Sequence, residues 1–300
     1  MAETYDQIHA AGQRLECQWL GPRPSGDPDG LPTLVFLHEG LGCVALWRDF
    51  PKILVEATGL GGFVYSRQGY GGSEPCQLPR PITYMHYEGL IVLPDVLKSA
   101  GIRRTILVGH SDGASISLIY AGNAPACGLA GMILEAPHVF MEETNALSIR
   151  AMCETYESTD LRARMMKYHG DNVDCAFRGW SEPWLGEAFS TWNLEEFLPN
   201  ICADKPVPTL VIQGADDEYG TIAQCRAIER GIGPQASTLF LLECGHAPHL
   251  EQRERTLKAM VQHIQKIVLN SLYGVLGLPV FRFYDVHNAE ATTMTGQELI

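Results

Sequence analysis

Short runs of apolar and β-branched residues recur along the chain with helix-compatible stretches between them, and this alternation predicts strands and helices in turn. The strands fall at Arg14–Trp19, Thr33–Leu37, Gly62–Ser66, Thr105–Val108, Gly131–Glu135, Thr209–Gln213 and Thr238–Leu242. Helices fit Leu46–Ala57, Tyr84–Ala100, Asp112–Ala121, Ile222–Gly231 and Glu251–Val268. Strands and helices alternating in this way predict an α/β fold, helices flanking a mostly parallel central sheet. The loop Gly21–Pro32, rich in Gly, Pro and Asp, reads as an early hairpin connection.

Between about Pro137 and Pro208 the strand signal disappears. The segment is charged, helix-compatible and studded with Tyr156, Tyr168, Phe177, Trp180, Trp184, Phe189, Trp192 and Phe197. Aromatics in an insertion between two core strands either pack it onto the sheet or line a pocket beneath it. Each one taken singly reads as packing; as a set they suggest an apolar helical cap.

At 300 residues and 46% apolar composition the chain can bury a full core. The formal charge of −13 disfavours a phosphate-tracking surface, so nucleic acid and anionic membranes are not expected partners. No apolar run approaches the ~18 residues of a spanning helix, and the first residues lack the basic and apolar regions of a signal peptide. A cytoplasmic location is the expectation. The nine cysteines are scattered and never spaced as C-x-x-C, which reads as reduced small hydrophobes, Cys43 and Cys244 being noted because both lie beside motifs.

The chemistry gathers on Gly109-His110-Ser111-Asp112-Gly113, which follows a strand and precedes a helix. A serine on so sharp a turn is lifted clear of the sheet beside the positive end of the next helix, and Ser111 is the candidate nucleophile. A serine hydroxyl needs a base to take its proton and a third group to orient that base. Asp216 and Asp217 follow the strand Thr209–Gln213, and Gly245-His246 follows the strand Thr238–Leu242. All three loops leave the carboxyl edge of the sheet, where sites form in such folds.

The order nucleophile, acid, histidine, the G-x-S-x-G turn, the acid three residues after Gly214 and Gly245-His246 before a final helix resemble the α/β-hydrolase superfamily over about residues 10–268. The resemblance implies the α/β-hydrolase fold, with a core of residues 1–136 and 209–268 and a helical cap at 137–208. It implies Ser111 as nucleophile, Asp217 as acid and His246 as base, with Asp216 and Glu135 as alternative acids. The loop His38-Glu39-Gly40 stands where the family carries His-Gly-x, so the Gly40 and Asp112 N–H groups are the implied oxyanion hole. Glu39 departs from the pattern, because a carboxylate there repels an oxyanion unless it points away or pairs with a cation.

His38, His86, His110, His138, His169, His249 and His263 read as structural or surface residues, and His249 beside His246 makes no H-E-x-x-H metal helix. No metal or cofactor is called for. Arg67, in the Gly-rich stretch Tyr65–Ser73, reads as a salt-bridge partner or a contact to an acidic substrate. Residues 269–300 resemble a fragment of family B DNA polymerases, too short for a palm and without its metal carboxylates. The apolar stretch Leu272–Phe283 is compatible with packing on the body or with homo-oligomerisation.

These motifs imply a serine hydrolase, carboxylesterase-like, acting on a small apolar ester through an acyl-enzyme. C–C bond hydrolase, lactonase, amidase and aminopeptidase activities share the same motifs, and a ligand-binding protein that kept the fold and lost turnover is the alternative from another class.

Overall fold

Among the residues described by the computed structural model, which are 5–27, 29–123, 128–201 and 207–276, eight strands form one sheet. They are β1 (Asp6–Ala10), β2 (Gln13–Leu20), β3 (Thr33–Leu37), β4 (Gly62–Tyr65), β5 (Thr105–His110), β6 (Leu129–Glu135), β7 (Thr209–Gly214) and β8 (Ala236–Leu241). Their spatial order is β1-β2-β4-β3-β5-β6-β7-β8. The pairs β1/β2 and β2/β4 are antiparallel and all the others parallel. Pairing of Leu37 with Gly109, His110 with Glu135 and Gly214 with Leu241 brings the carboxyl ends of β3, β5, β6, β7 and β8 to one edge.

The helices are α1 (Phe50–Thr58), α2 (Tyr84–Tyr87), α3 (Leu93–Ser99), α4 (Asp112–Gly122), α5 (Glu143–Ser158), α6 (Leu161–His169), α7 (Val173–Leu185), α8 (Ile222–Ile232), α9 (Pro248–Glu251) and α10 (Arg253–Leu276). The two-residue period of the strands sorts the core into two layers. Val35, Leu37 and Leu107 face the side covered by α2, α3, α4 and α8, while Leu34, Phe36, Ile106 and Val108 face α1 and α10. No helix among the described residues is long and apolar enough to cross a membrane.

Several local expectations are corrected. The connection Gly21–Pro32 is a crossover, since β4 lies between β2 and β3, and the hairpin is β1–β2 through Ala11-Gly12. The edge strand β1 has no apolar run because two of its first three residues point to solvent. The helix expected over Leu46–Ala57 divides into a 3-10 turn (Val44–Trp47) and α1, because Pro51 lacks an N–H and fits only a first turn. Pro94 does the same within Tyr84–Ala100, where a π-helical turn (Glu88–Val92) separates α2 from α3. The final helix also divides, at Gln252, and α10 runs past Val268 to Leu276; the remainder of the tail expectation lies outside the described residues.

Between β6 and β7 the described residues form α5, α6, α7 and three 3-10 turns (Gly170–Asn172, Glu187–Thr191 and Glu195–Asn200). Most of its aromatics pack among themselves: Tyr156 stacks on Phe177 with ring centroids 3.7 Å apart, and Phe189 on Trp192 at 5.0 Å. Trp180 and Trp184 pack on these rings as well, Trp184 lying 4.7 Å from Phe189, and also line the cavity at the sheet edge. Cys43 and Cys244 are buried, and burial pushes their thiols up to about 12 and about 11, so neither is a thiolate at neutral pH.

Candidate active site

Ser111 sits between β5 and α4 with φ 53° and ψ −115°, a conformation that costs energy in any residue with a side chain. The glycines on either side explain how the turn closes. A Cβ on Gly113 would lie 2.0 Å from the Leu37 carbonyl oxygen, and one on Gly109 would lie 2.5 Å from the Gly113 carbonyl oxygen. Both positions exclude any side chain, since the start of α4 meets the ends of β3 and β5 backbone to backbone there. The Ser111 N–H donates to Glu135 O at 2.9 Å, tying the turn to the end of β6.

His246 Nδ1 lies 2.9 Å from Asp217 Oδ1 and 3.0 Å from Oδ2. Asp217 is itself immobilised: Oδ2 accepts from Gln213 Nε2 at 2.7 Å and Oδ1 from the Tyr219 N–H at 2.8 Å. Burial opposes its charge, but the His246 imidazole and the Tyr219 N–H hold the carboxyl down at about 2. With Nδ1 taken by Asp217, the imidazole keeps Nε2 for proton transfer. Ser111 and His246 line the same cavity. A Ser111 Oγ to His246 hydrogen bond is not among those formed between described residues, and such contacts commonly tighten only with substrate bound.

The alternative acids lie elsewhere. Asp216 is exposed. Glu135 is buried and its Oε2 accepts from the His249 N–H at 3.0 Å and pairs with His249 Nδ1 at 2.9 Å. Burial would raise its carboxyl, yet His249 and His110 beside it hold it below its ordinary value. His249 thus reads as the partner of a buried structural carboxylate, packed against Trp47 and Phe50.

The Glu39 side chain points toward His110, with Oε2 3.7 Å from Nδ1. The separation is that of an ion pair rather than a hydrogen bond. Burial alone would lower the His110 value, but Glu39 and Glu135 outweigh it and raise it to about 9, so the imidazole is cationic at neutral pH. The same pairing holds Glu39 well below the usual carboxylate range against the effect of burial. His110 Nε2 donates to the His246 carbonyl at 2.7 Å, which links the residue before Ser111 to the loop of His246. Histidine 110, read from sequence as structural, is therefore a member of the site.

Two further residues carried no sequence signal of their own. Glu251 accepts from the Gly245 N–H at 2.7 Å and from the Ala247 N–H at 3.0 Å, bracketing His246. It is the last residue of α9, five residues after His246, which lets its carboxylate fold back onto the histidine loop. His138, after β6, stacks on His246 with centroids 5.7 Å apart and planes at 26°, and burial together with the His246 charge pushes it down to about 3. It is neutral and adds an aromatic face to the base.

The cavity holds about 190 Å³ and is walled chiefly by apolar atoms, with Leu41, Ile149, Trp180 and Trp184 prominent. Trp180 of α7 packs so closely on the loop after β3 that a Cβ on Gly40 would lie 2.2 Å from its Cδ1. No Lys or Arg is among the described residues that line the space. Asp112, the residue after Ser111, is wholly buried with its Oδ2 accepting from the Tyr84 hydroxyl at 2.6 Å.

A family model described as the alpha/beta hydrolase family matches residues 34–259. No curated protein matches the chain significantly. Among solved structures, the chain is similar to proline iminopeptidase of Mycobacterium smegmatis, at 18% identity and a TM-score of 0.65 over 89% of this chain and 100% of that one. It is similar to the enol-lactonase of Burkholderia xenovorans at 19% identity and a TM-score of 0.64, over 87% and 100% of the two chains. The meta-cleavage product hydrolase of Pseudomonas fluorescens is similar at 16% identity and a TM-score of 0.61, over 87% and 97%. At these identities the likeness bears on the fold.

Proposed function

The chain belongs to the alpha/beta hydrolase family, and we propose that it is a serine hydrolase that cleaves small, uncharged, apolar esters through an acyl-enzyme. The observation that carries this reading is the Asp217 carboxylate at 2.9 and 3.0 Å from His246 Nδ1, with Ser111 on its strained turn opening on the same apolar cavity. His246 takes the Ser111 proton at Nε2 while Oγ attacks the ester carbonyl. The Gly40 and Asp112 N–H groups receive the oxyanion, and Asp217 stabilises the imidazolium. His246 returns the proton to the leaving alcohol, then draws a proton from water, whose attack releases the acid and restores Ser111.

The substrate class follows from the walls. With no cation among the described lining residues beyond His110, which Glu39 neutralises, a carboxylate-bearing substrate gains no partner, and the Trp180, Trp184 and Ile149 surfaces favour a hydrocarbon acyl group. The helical segment 137–208 serves in this reading as the cap over the core of residues 1–136 and 209–268. The pairing of Glu39 with His110 removes the repulsion that favoured a non-catalytic protein.

Hydrolysis of p-nitrophenyl acetate and butyrate by the wild type, its loss in Ser111→Ala, and a fluorophosphonate label on the peptide carrying Ser111 are the expected results. Equal rates for wild type and Ser111→Ala would end the hydrolase reading. Faster turnover of lactones or of vinylogous keto acids than of simple esters would keep the chemistry and move the substrate class.

A further inference from the structure

From sequence, Arg67 stands between a salt bridge and a contact to an acidic substrate. The structure removes the second use, because its side chain is wholly buried beneath the site and does not line the cavity. What it touches instead belongs to both halves of the oxyanion hole. Nη2 donates to the Glu39 carbonyl oxygen at 2.9 Å, and Nη1 lies 3.5 Å from Asp112 Oδ2. We infer that Arg67 is a positioning residue for the oxyanion hole, setting the direction of the Gly40 N–H and its spacing from the Asp112 N–H. The inference rests on the hydrolase reading above.

The argument for Gly40 is one of peptide geometry. The Glu39 carbonyl and the Gly40 N–H belong to the same peptide unit, which is planar and, being trans, points the two groups in opposite directions. A donor that fixes the oxygen on the Arg67 side therefore aims the hydrogen away from it. Two side-chain donors fix it, Arg67 Nη2 and His38 Nδ1, the latter at 2.7 Å, and the Gly42 N–H of the same loop adds a longer bond at 3.2 Å. His38 Nε2 accepts from the Arg67 N–H at 3.0 Å, so the proton of a neutral ring is on Nδ1. Burial and the adjacent guanidinium keep His38 neutral. Hydrogen bonds received by a carbonyl also polarise its peptide and strengthen the N–H at the other end.

The argument for Asp112 is one of anchorage. Its carboxylate, wholly buried at the first turn of α4, is held by the same guanidinium and by the Tyr84 hydroxyl, which in turn accepts from Trp184 Nε1 at 2.9 Å. One rigid planar group thus spans the oxyanion loop after β3 and the turn after β5, two segments with no covalent tie near the site. A lysine keeps the charge but presents a single point of attachment, so it holds one partner and releases the other.

The test compares Arg67→Lys with wild type and with Tyr84→Phe, which loses a bond to Asp112 but none to the Glu39 carbonyl. Loss of an oxyanion donor costs about 10²–10³ in kcat, so a misaimed donor in Arg67→Lys is expected to lower kcat by roughly 10- to 100-fold. KM for p-nitrophenyl butyrate stays within about twofold, and affinity for propyl trifluoromethyl ketone, whose serine adduct carries the oxyanion, falls in step with kcat/KM. Tyr84→Phe loses less on both measures. Should Arg67→Lys not fold, His38→Ala withdraws the other side-chain donor to the same carbonyl and is read in the same way. Unchanged kcat and ketone affinity in the folded variant, or equal losses in Tyr84→Phe, overturn the assignment while leaving an active wild type as a hydrolase. A wild type inert toward esters and ketone overturns the hydrolase reading and this assignment with it.

Discussion

Glu39 Oε2 lies 3.7 Å from His110 Nδ1, so the acidic side chain on the loop after β3 faces the imidazole of the residue directly before Ser111. The pair is net neutral, and it couples three segments, because His110 also donates to the His246 carbonyl.

Stability is expected to peak near pH 6.5. His110 is raised from its ordinary 6.5 to about 9, so its stabilising contribution is complete below pH 6.5 and disappears as pH climbs through 9. His138 is lowered from 6.5 to about 3, so its contribution is complete above pH 6.5 and disappears as pH falls toward 3. Thermal melts across this range should show both limbs, and His110→Gln should flatten the alkaline one; an unchanged alkaline slope in that variant contradicts the pairing. kcat should fall on the same alkaline limb, as Glu39 loses its counter-charge.

Asp217→Asn and Glu135→Gln should separate an orienting carboxylate from a structural one. Asp217→Asn is expected to lower kcat by about 10⁴ with little change in melting temperature, since the His246 tautomer is lost while the fold is kept. Glu135→Gln breaks a buried pair with His249 and should cost about 3 kcal/mol of stability with a far smaller loss of kcat. Ester kinetics and urea unfolding on the two purified variants decide the matter, and the reverse pattern would make Glu135 the acid.

Gly40→Ala puts a methyl group 2.2 Å from Trp180 Cδ1 and should displace either the indole or the oxyanion loop. The expected loss is about tenfold in kcat. Trp180→Leu should relieve it, so that the double variant performs like Trp180→Leu alone, a coupling of about 1.4 kcal/mol. Strictly additive losses would mean the two residues act independently.

Glu251→Ala frees the two N–H groups that flank His246. Because the imidazole must stay aligned within a fraction of an ångström, kcat is expected to drop about tenfold, with Glu251→Gln, which keeps one acceptor, falling less. A kcat equal to wild type for Glu251→Ala would show that Asp217 alone orients the ring.

Buried parallel strands were the most legible part of the fold. Thr33–Leu37 is bounded in the structure as its apolar run predicts, and Thr105–Val108 extends by two residues to His110, because such strands are hidden on both faces and need continuous apolar sequence. The edge strand β1 left no such trace, since one side of it meets water. Helix breaks at Pro51 and Pro94 are marked in the sequence only by prolines inside otherwise continuous apolar patterns.

The order of Ser111, Asp217 and His246 and the glycines around Ser111 are written into the chain, because a strand-turn-helix junction is a local structure whose steric demands fall on neighbours in sequence. The choice among Asp216, Asp217 and Glu135 is of another kind. It depends on which carboxylate lies against His246 and which against His249, residues separated in sequence from their partners by 29 and 114 positions. The same holds for Glu39 finding His110 and for Arg67 reaching both Glu39 and Asp112. Such meetings are set by how the sheet stacks its strands and how side chains fill the edge. No local pattern records them, because the energy that selects each contact exists only once the distant segments are packed together.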